Sequence, residues 1–123
     1  MESILLLIAD QRLRQLYHEL LLCENIEIVP ISKFENAIII ETFDQFNTII
    51  VYPDDIEWKI IETFLHLQKK VDKLALIRLI LLTSEPDQYT KLLSSRDVVI
   101  NITHQNPDEI VKKIMQTLRI LTE

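Results

Sequence analysis

Apolar positions along the chain alternate between two rhythms. Five short runs are almost continuously apolar or β-branched: 3–9 (SILLLIA), 26–31 (IEIVPI), 47–52 (NTIIVY), 77–83 (IRLILLT) and 97–103 (DVVINIT). Runs of this length without polar alternation fit strands covered on both faces. Between them the apolar residues change to helical spacing. In 12–22 (RLRQLYHELLL), Leu13, Leu16, Tyr17, Leu20 and Leu21 recur at three- and four-residue steps and predict a helix with one apolar side. Pro30 has no amide donor, which places the second run at a sheet edge or a strand end.

Capping signals mark the other helices. Ser32 with Glu35 three residues on forms a capping box, and Ala37 and Ile38 follow it. A helix over 55–68 carries Ile56, Ile60, Ile61, Phe64 and Leu65 inward, with Asp54 or Asp55 as its cap. Ser84 with Pro86 in the first turn predicts a helix through 84–93. Asn106 caps the last helix, Pro107 takes its first position, and Asp108 and Glu109 suit the positive end of its dipole.

Strands alternating with helices at this spacing imply parallel pairing, right-handed crossovers and helices on both faces of one sheet. The expected fold class is α/β, a doubly wound three-layer sandwich in one domain over 1–123. Ligands in such folds sit beyond the carboxyl ends of the strands. Those ends are Ile8–Asp10, Tyr52–Asp55, Thr83–Ser84 and Thr103–His104.

Composition narrows the chemistry. The net charge is −6, which argues against a nucleic-acid surface. The one basic cluster, Lys69, Lys70 and Lys73, reads as a solvated helix end. The chain has no glycine, which removes every Gly-rich phosphate loop from consideration. The single cysteine, Cys23, excludes an internal disulfide and fits a reducing compartment. The apolar start lacks a basic leader and is too short to span a membrane, so the expected location is cytoplasmic. His18, His66, His104 and Cys23 are not at metal-ligand spacing.

The whole chain resembles the receiver domain of two-component response regulators. The segment KFENAIIIETFDQFNTIIVY follows that family's pattern without a gap. Ala37-Ile38 stands in its second helix, Phe46-Asn47 at its Pro-Asp position, and the third strand follows. LILLTSE resembles its fourth strand and NPDEIVKKI the start of its last helix. The resemblance implies a flavodoxin-like (βα)5 fold with a five-stranded parallel sheet in the order 2-1-3-4-5.

The same comparison implies altered chemistry. A receiver holds Mg²⁺ with an acidic pair after strand one; here Ile8 and Ala9 fall there, with Asp10 just beyond. The acceptor aspartate falls on Tyr52, the strand-four hydroxyl on Thr83 or Ser84, and the strand-five Lys-Pro on Thr103-His104. The strand-five aromatic falls on Ile100. A lone carboxylate is a poor Mg²⁺ site, and a phenol with a reference pKa of about 10 is a weak nucleophile. The expectation is a pseudo-receiver with a degenerate pocket of Asp10, Tyr52, Asp54, Asp55, Thr83, Ser84 and Thr103. It would have no catalytic residue and no cofactor, and Asp10 would be its only metal candidate.

Each of these residues also has a structural reading. Asp10, Asp54 and Asp55 suit helix caps, Thr83 and Ser84 suit a strand end and a cap, and Tyr52 suits packing at the sheet rim. The last helix carries Ile110, Ile114, Leu118 and Leu121 toward the sheet, while Val111, Met115 and Ile120 widen its apolar arc. Tyr89, Leu92 and Leu93 do the same on the preceding helix. Tyr89, Leu92, Leu93, Val111 and Met115 are therefore candidates for an interface, against the plainer reading as core. The function expected is a non-enzymatic signalling module that contacts a protein partner (a histidine kinase, an output domain or another signalling protein) or a second copy. The alternatives are a divergent receiver using Asp54 or Asp55 with Mg²⁺, and a small flavodoxin-like ligand-binding domain or enzyme.

Overall fold

The structure is a computed structural model that describes residues 2–22, 26–32, 46–53, 62–63, 65–66, 70, 77–91, 93 and 96–122. Five strands, β1 (Glu2–Leu7), β2 (Ile26–Ile31), β3 (Thr48–Val51), β4 (Arg78–Thr83) and β5 (Val98–Asn101), form one parallel sheet in the order β2-β1-β3-β4-β5. Two helices are described in full, α1 (Gln11–Leu21) and α2, the last helix (Pro107–Thr122). This is the flavodoxin-like order expected from the resemblance.

The apolar runs are strands because both of their faces are covered. Along β1, Leu5 and Leu7 enter one core with Ile49, Val51, Leu79 and Leu81, while Ile4, Leu6 and Ile8 enter another with Ile50, Ile80, Leu82, Tyr17, Leu21, Ile110, Ile114 and Leu118. The period of two thus splits each strand between two cores, and no strand residue of β3 or β4 is left to water. Fully burying each such side chain contributes roughly 1.5–3 kcal/mol. β2 is an edge strand, which accommodates Pro30 opposite Leu6.

Several boundaries differ from the sequence reading. β1 ends at Leu7, yet the Ile8 N–H still donates to the Ile31 carbonyl at 3.2 Å before the chain bends at Ala9 and Asp10. β5 is shorter than 97–103: the Asp97 carboxylate instead accepts from the Leu79 N–H at 3.0 Å, and the chain turns after Ile102. Ser84 does not cap a helix. Pro86–Gln88 form a single 3-10 turn, preceded by Glu85 with no side-chain cap. The reason lies one residue earlier: the buried Thr83 hydroxyl accepts from the Glu85 N–H at 3.0 Å. The turn then closes by bonds from Gln88 to Glu85 and Tyr89 to Pro86, each 3.2 Å.

Leu16 is 38% exposed, so it does not share the inward side with Tyr17 and Leu21. The α2 cap is as expected and reciprocal. The Glu109 N–H donates to Asn106 Oδ1 at 2.9 Å, and Asn106 Nδ2 donates to Glu109 Oε1 at 3.3 Å. Glu35 of the expected Ser32–Glu35 capping box, the helix over 55–68 apart from 62–63 and 65–66, and Cys23 lie outside the described residues; Leu65 is buried in the first core. No helix among the described residues is long and apolar enough to cross a membrane.

Candidate functional site

The carboxyl ends of β1 and β3 meet side by side. Leu7 pairs with Val51, and the next residue, Tyr52, donates its N–H to the Leu7 carbonyl at 3.0 Å. This register puts Tyr52 beside the β1 exit, where Ile8 is fully buried and Ala9 is exposed. Asp10 follows, and its carboxylate is already engaged: Oδ1 accepts from the Leu13 N–H at 2.9 Å as the N-cap of α1. The Arg14 guanidinium folds back along the first turn and donates to the Ile8 and Ala9 carbonyls at 2.8 and 3.2 Å. Those carbonyls lie past the end of β1, and this contact gives each a partner.

Tyr52 is half-buried and packs on the core that contains Tyr17. Tyr17 itself is 1% exposed. Burial pushes its phenol up to about 12, and the neighbouring Tyr52 phenol adds to the shift. Asp10, Arg12, Leu13, Leu16 and Tyr52 together line an open cleft of about 370 Å³.

A second group forms at the exits of β4 and β5. The Thr83 carbonyl accepts from the Ile102 N–H at 3.1 Å, continuing the ladder. The Thr103 hydroxyl lies 3.4 Å from the Ser84 carbonyl, a long hydrogen bond, and the Thr103 N–H donates to Asn101 Oδ1 at 2.9 Å. A turn closed by the Gln105 N–H on the Ile102 carbonyl at 3.2 Å holds His104 at φ 61°. Within it Thr103 and His104 are both exposed.

The expected pocket residues therefore fall into two groups: Asp10 with Tyr52 on one cleft, and Thr83, Ser84 and Thr103 on neighbouring strand exits. Asp54 and Asp55 lie outside the described residues, as does Leu92. Tyr89 is 4% exposed and belongs to the core, Leu93 and Met115 pack partly buried on the two cores, and Val111 lies beside Met115. Arg12, Arg14 and Tyr17 were not expected at the site; their one sequence signal is that they follow the β1 exit within the first two turns of α1.

Among the described residues, the donors at the β1 and β3 exits do not fit the Mg²⁺ that the resemblance implies. Such a site takes carboxylate oxygens in octahedral array, whereas these positions offer an isoleucine, an alanine, a phenol and one carboxylate that caps a helix. Among the described residues no three His, Cys, Asp or Glu side chains are grouped to hold a metal ion.

No protein-family model matches the sequence, and no curated protein matches it either. Solved structures do. The chain is similar to the chemotaxis response regulator CheY4 of Vibrio cholerae, with a TM-score of 0.70, 15% identity, and coverage of 95% of this chain and 98% of that one. It is similar to the receiver domain of the Francisella response regulator 1452 (TM-score 0.68, 13% identity, 98% and 99% covered). A pilus assembly protein, CpaE, of Burkholderia thailandensis also matches, with a TM-score of 0.63, 11% identity, and 97% and 99% covered. The chain has the receiver-domain fold of response regulators.

Proposed function

We propose that this chain is a receiver-like signalling module that acts by protein–protein contact and performs no phosphoryl transfer. The observation that carries the reading is Tyr52. It sits one backbone hydrogen bond from the β1 exit, at the place the receiver resemblance gives to an acceptor aspartate. A phenol, with a reference pKa of about 10, is a weak nucleophile in place of a carboxylate. The strand-one acidic pair is replaced by Ile8 and Ala9, and the strand-five lysine by Thr103.

On this reading the domain is cytoplasmic and non-enzymatic. Its partner is a signalling protein, such as a kinase or an output domain, or a second copy met through α2. Val111 and Met115, partly buried on the flank of that helix, support the α2 surface over the buried Tyr89.

The test is an amide NMR titration with Mg²⁺ and then with Mg²⁺ plus beryllofluoride, a phosphoryl mimic. The expected result is no saturable change at Asp10, Tyr52, Thr83 or Ser84. Saturable shifts clustered at those residues would overturn the proposal. If they extended to Asp54 or Asp55, the chain would be a divergent, phosphorylatable receiver.

A further inference from the structure

The sheet reverses its direction of growth between β1 and β3, since β2 lies on one side of β1 and β3, β4 and β5 on the other. In open α/β sheets this switch point, beyond the carboxyl ends of the strands, is where the crevice for a ligand forms. The cleft lined by Asp10, Arg12, Leu13, Leu16 and Tyr52 lies at that point, Asp10 after β1 and Tyr52 after β3. Its volume of about 370 Å³ falls within the roughly 300–1,000 Å³ of small-molecule sites.

Three features of its lining point to one ligand chemistry. Leu16 is 38% exposed, and with Leu13 and Tyr52 it gives the cleft an apolar part of its lining. Arg12 is exposed and makes no hydrogen bond or ion pair among the described residues, unlike Arg14 on the next turn. Asp10 spends one oxygen, Oδ1, on the α1 cap and has Oδ2 in reserve. Among the described residues the rim thus carries one cation, Arg12, and one anion, Asp10, beside apolar side chains. In a chain of net charge −6 a simple anion is repelled overall, whereas a zwitterion is not.

We propose that this cleft binds a small zwitterion with an apolar side chain, of the class of a free branched-chain or aromatic α-amino acid. The carboxylate pairs with the Arg12 guanidinium, the ammonium with Asp10, and the side chain lies on Leu13, Leu16 and Tyr52. The inference extends the phosphorylation-independent reading, because it gives the site an input other than a phosphoryl group.

The experiment titrates the intact chain with millimolar L-leucine, then L-phenylalanine, and follows amide NMR shifts, with N-acetyl-leucine (no ammonium) and leucinamide (no carboxylate) as arms lacking one charge each. Expected are saturable shifts at Arg12, Leu13, Leu16 and Tyr52, weaker for both blocked forms. Arg12→Ala, at an exposed residue, should weaken binding by about tenfold or more. Asp10→Asn keeps the cap and removes the charge, and should weaken binding likewise. No saturable shift with either amino acid overturns the proposal. So does binding that survives both substitutions, since it would be apolar adsorption. Neither outcome bears on the beryllofluoride test, which reads the phosphoryl response separately.

Discussion

The phenols of Tyr17 and Tyr52 lie within electrostatic reach of each other, one buried under α1 and the other at the β3 exit. The fold thus places two weakly acidic hydroxyls beside the point where the receiver resemblance puts a carboxylate. The buried member of the pair reports on the arrangement through its titration.

Tyr17 is neutral when protonated, and its folded value of about 12 lies above the ordinary phenol value of 10.0. Folding therefore favours the protonated form. The stability this confers is present in full below pH 10 and is lost as pH rises from there toward 12. Denaturant unfolding at rising alkaline pH should show the parent chain losing up to about 2 kcal/mol more than Tyr17→Phe. Parallel pH profiles for the two proteins would contradict the burial of this phenol.

The Asp10 cap makes a prediction that separates charge from geometry. Asp10→Ala should cost about 1 kcal/mol of stability, since the Leu13 N–H loses its acceptor, while Asp10→Asn should cost a few tenths. Thermal unfolding of the pair at neutral pH checks this. Equal losses in both would mean that the carboxylate acts through its charge and not as a hydrogen-bond acceptor.

His104 occupies the left-handed region at φ 61°, where a non-glycine residue costs on the order of 1 kcal/mol. Because His104 is exposed, His104→Gly removes that strain without opening a cavity, though it adds entropy to the unfolded chain. The expected net gain is about 0.5 kcal/mol, measured by denaturant midpoint, and His104→Val should lose stability instead.

At the opposite end of the sheet, Arg78 is 8% exposed and donates from Nη1 to the Thr117 carbonyl at 3.2 Å. Burial lowers its pKa, the Glu2 carboxylate opposes that shift, and Arg96 adds to it. Glu2 Oε2 is buried with no hydrogen-bond partner of its own, so the Arg78 charge is what offsets it. Arg78→Ala should therefore cost about 2–3 kcal/mol, and the additional substitution Glu2→Gln should restore part of the loss. A double-mutant cycle with no coupling would separate the two residues.

The fold was largely legible because its signals are local and redundant. Five apolar runs, a cap at Asn106, and a proline that suits only a sheet edge or a strand end are all consistent with the same sheet. The helix expected at 84–93 shows where such reasoning fails. A serine before a proline is a good cap in isolation, but the buried Thr83 hydroxyl takes the Glu85 N–H first, and only the completed β4 holds Thr83 there.

What the sequence determined by itself was the order of elements, the split of each strand between two cores, and the identity of the side chains at the strand exits. These follow from periodicity and position, which are properties of the chain. Only the tertiary structure decided which exits adjoin, that Tyr52 packs on the core that holds Tyr17, that Leu16 turns outward, and that Arg14 closes on β1 carbonyls while Arg12 lines a cleft. The physical reason is that burial, low dielectric and unpaired charge depend on neighbours brought from distant parts of the chain, and no local pattern encodes them.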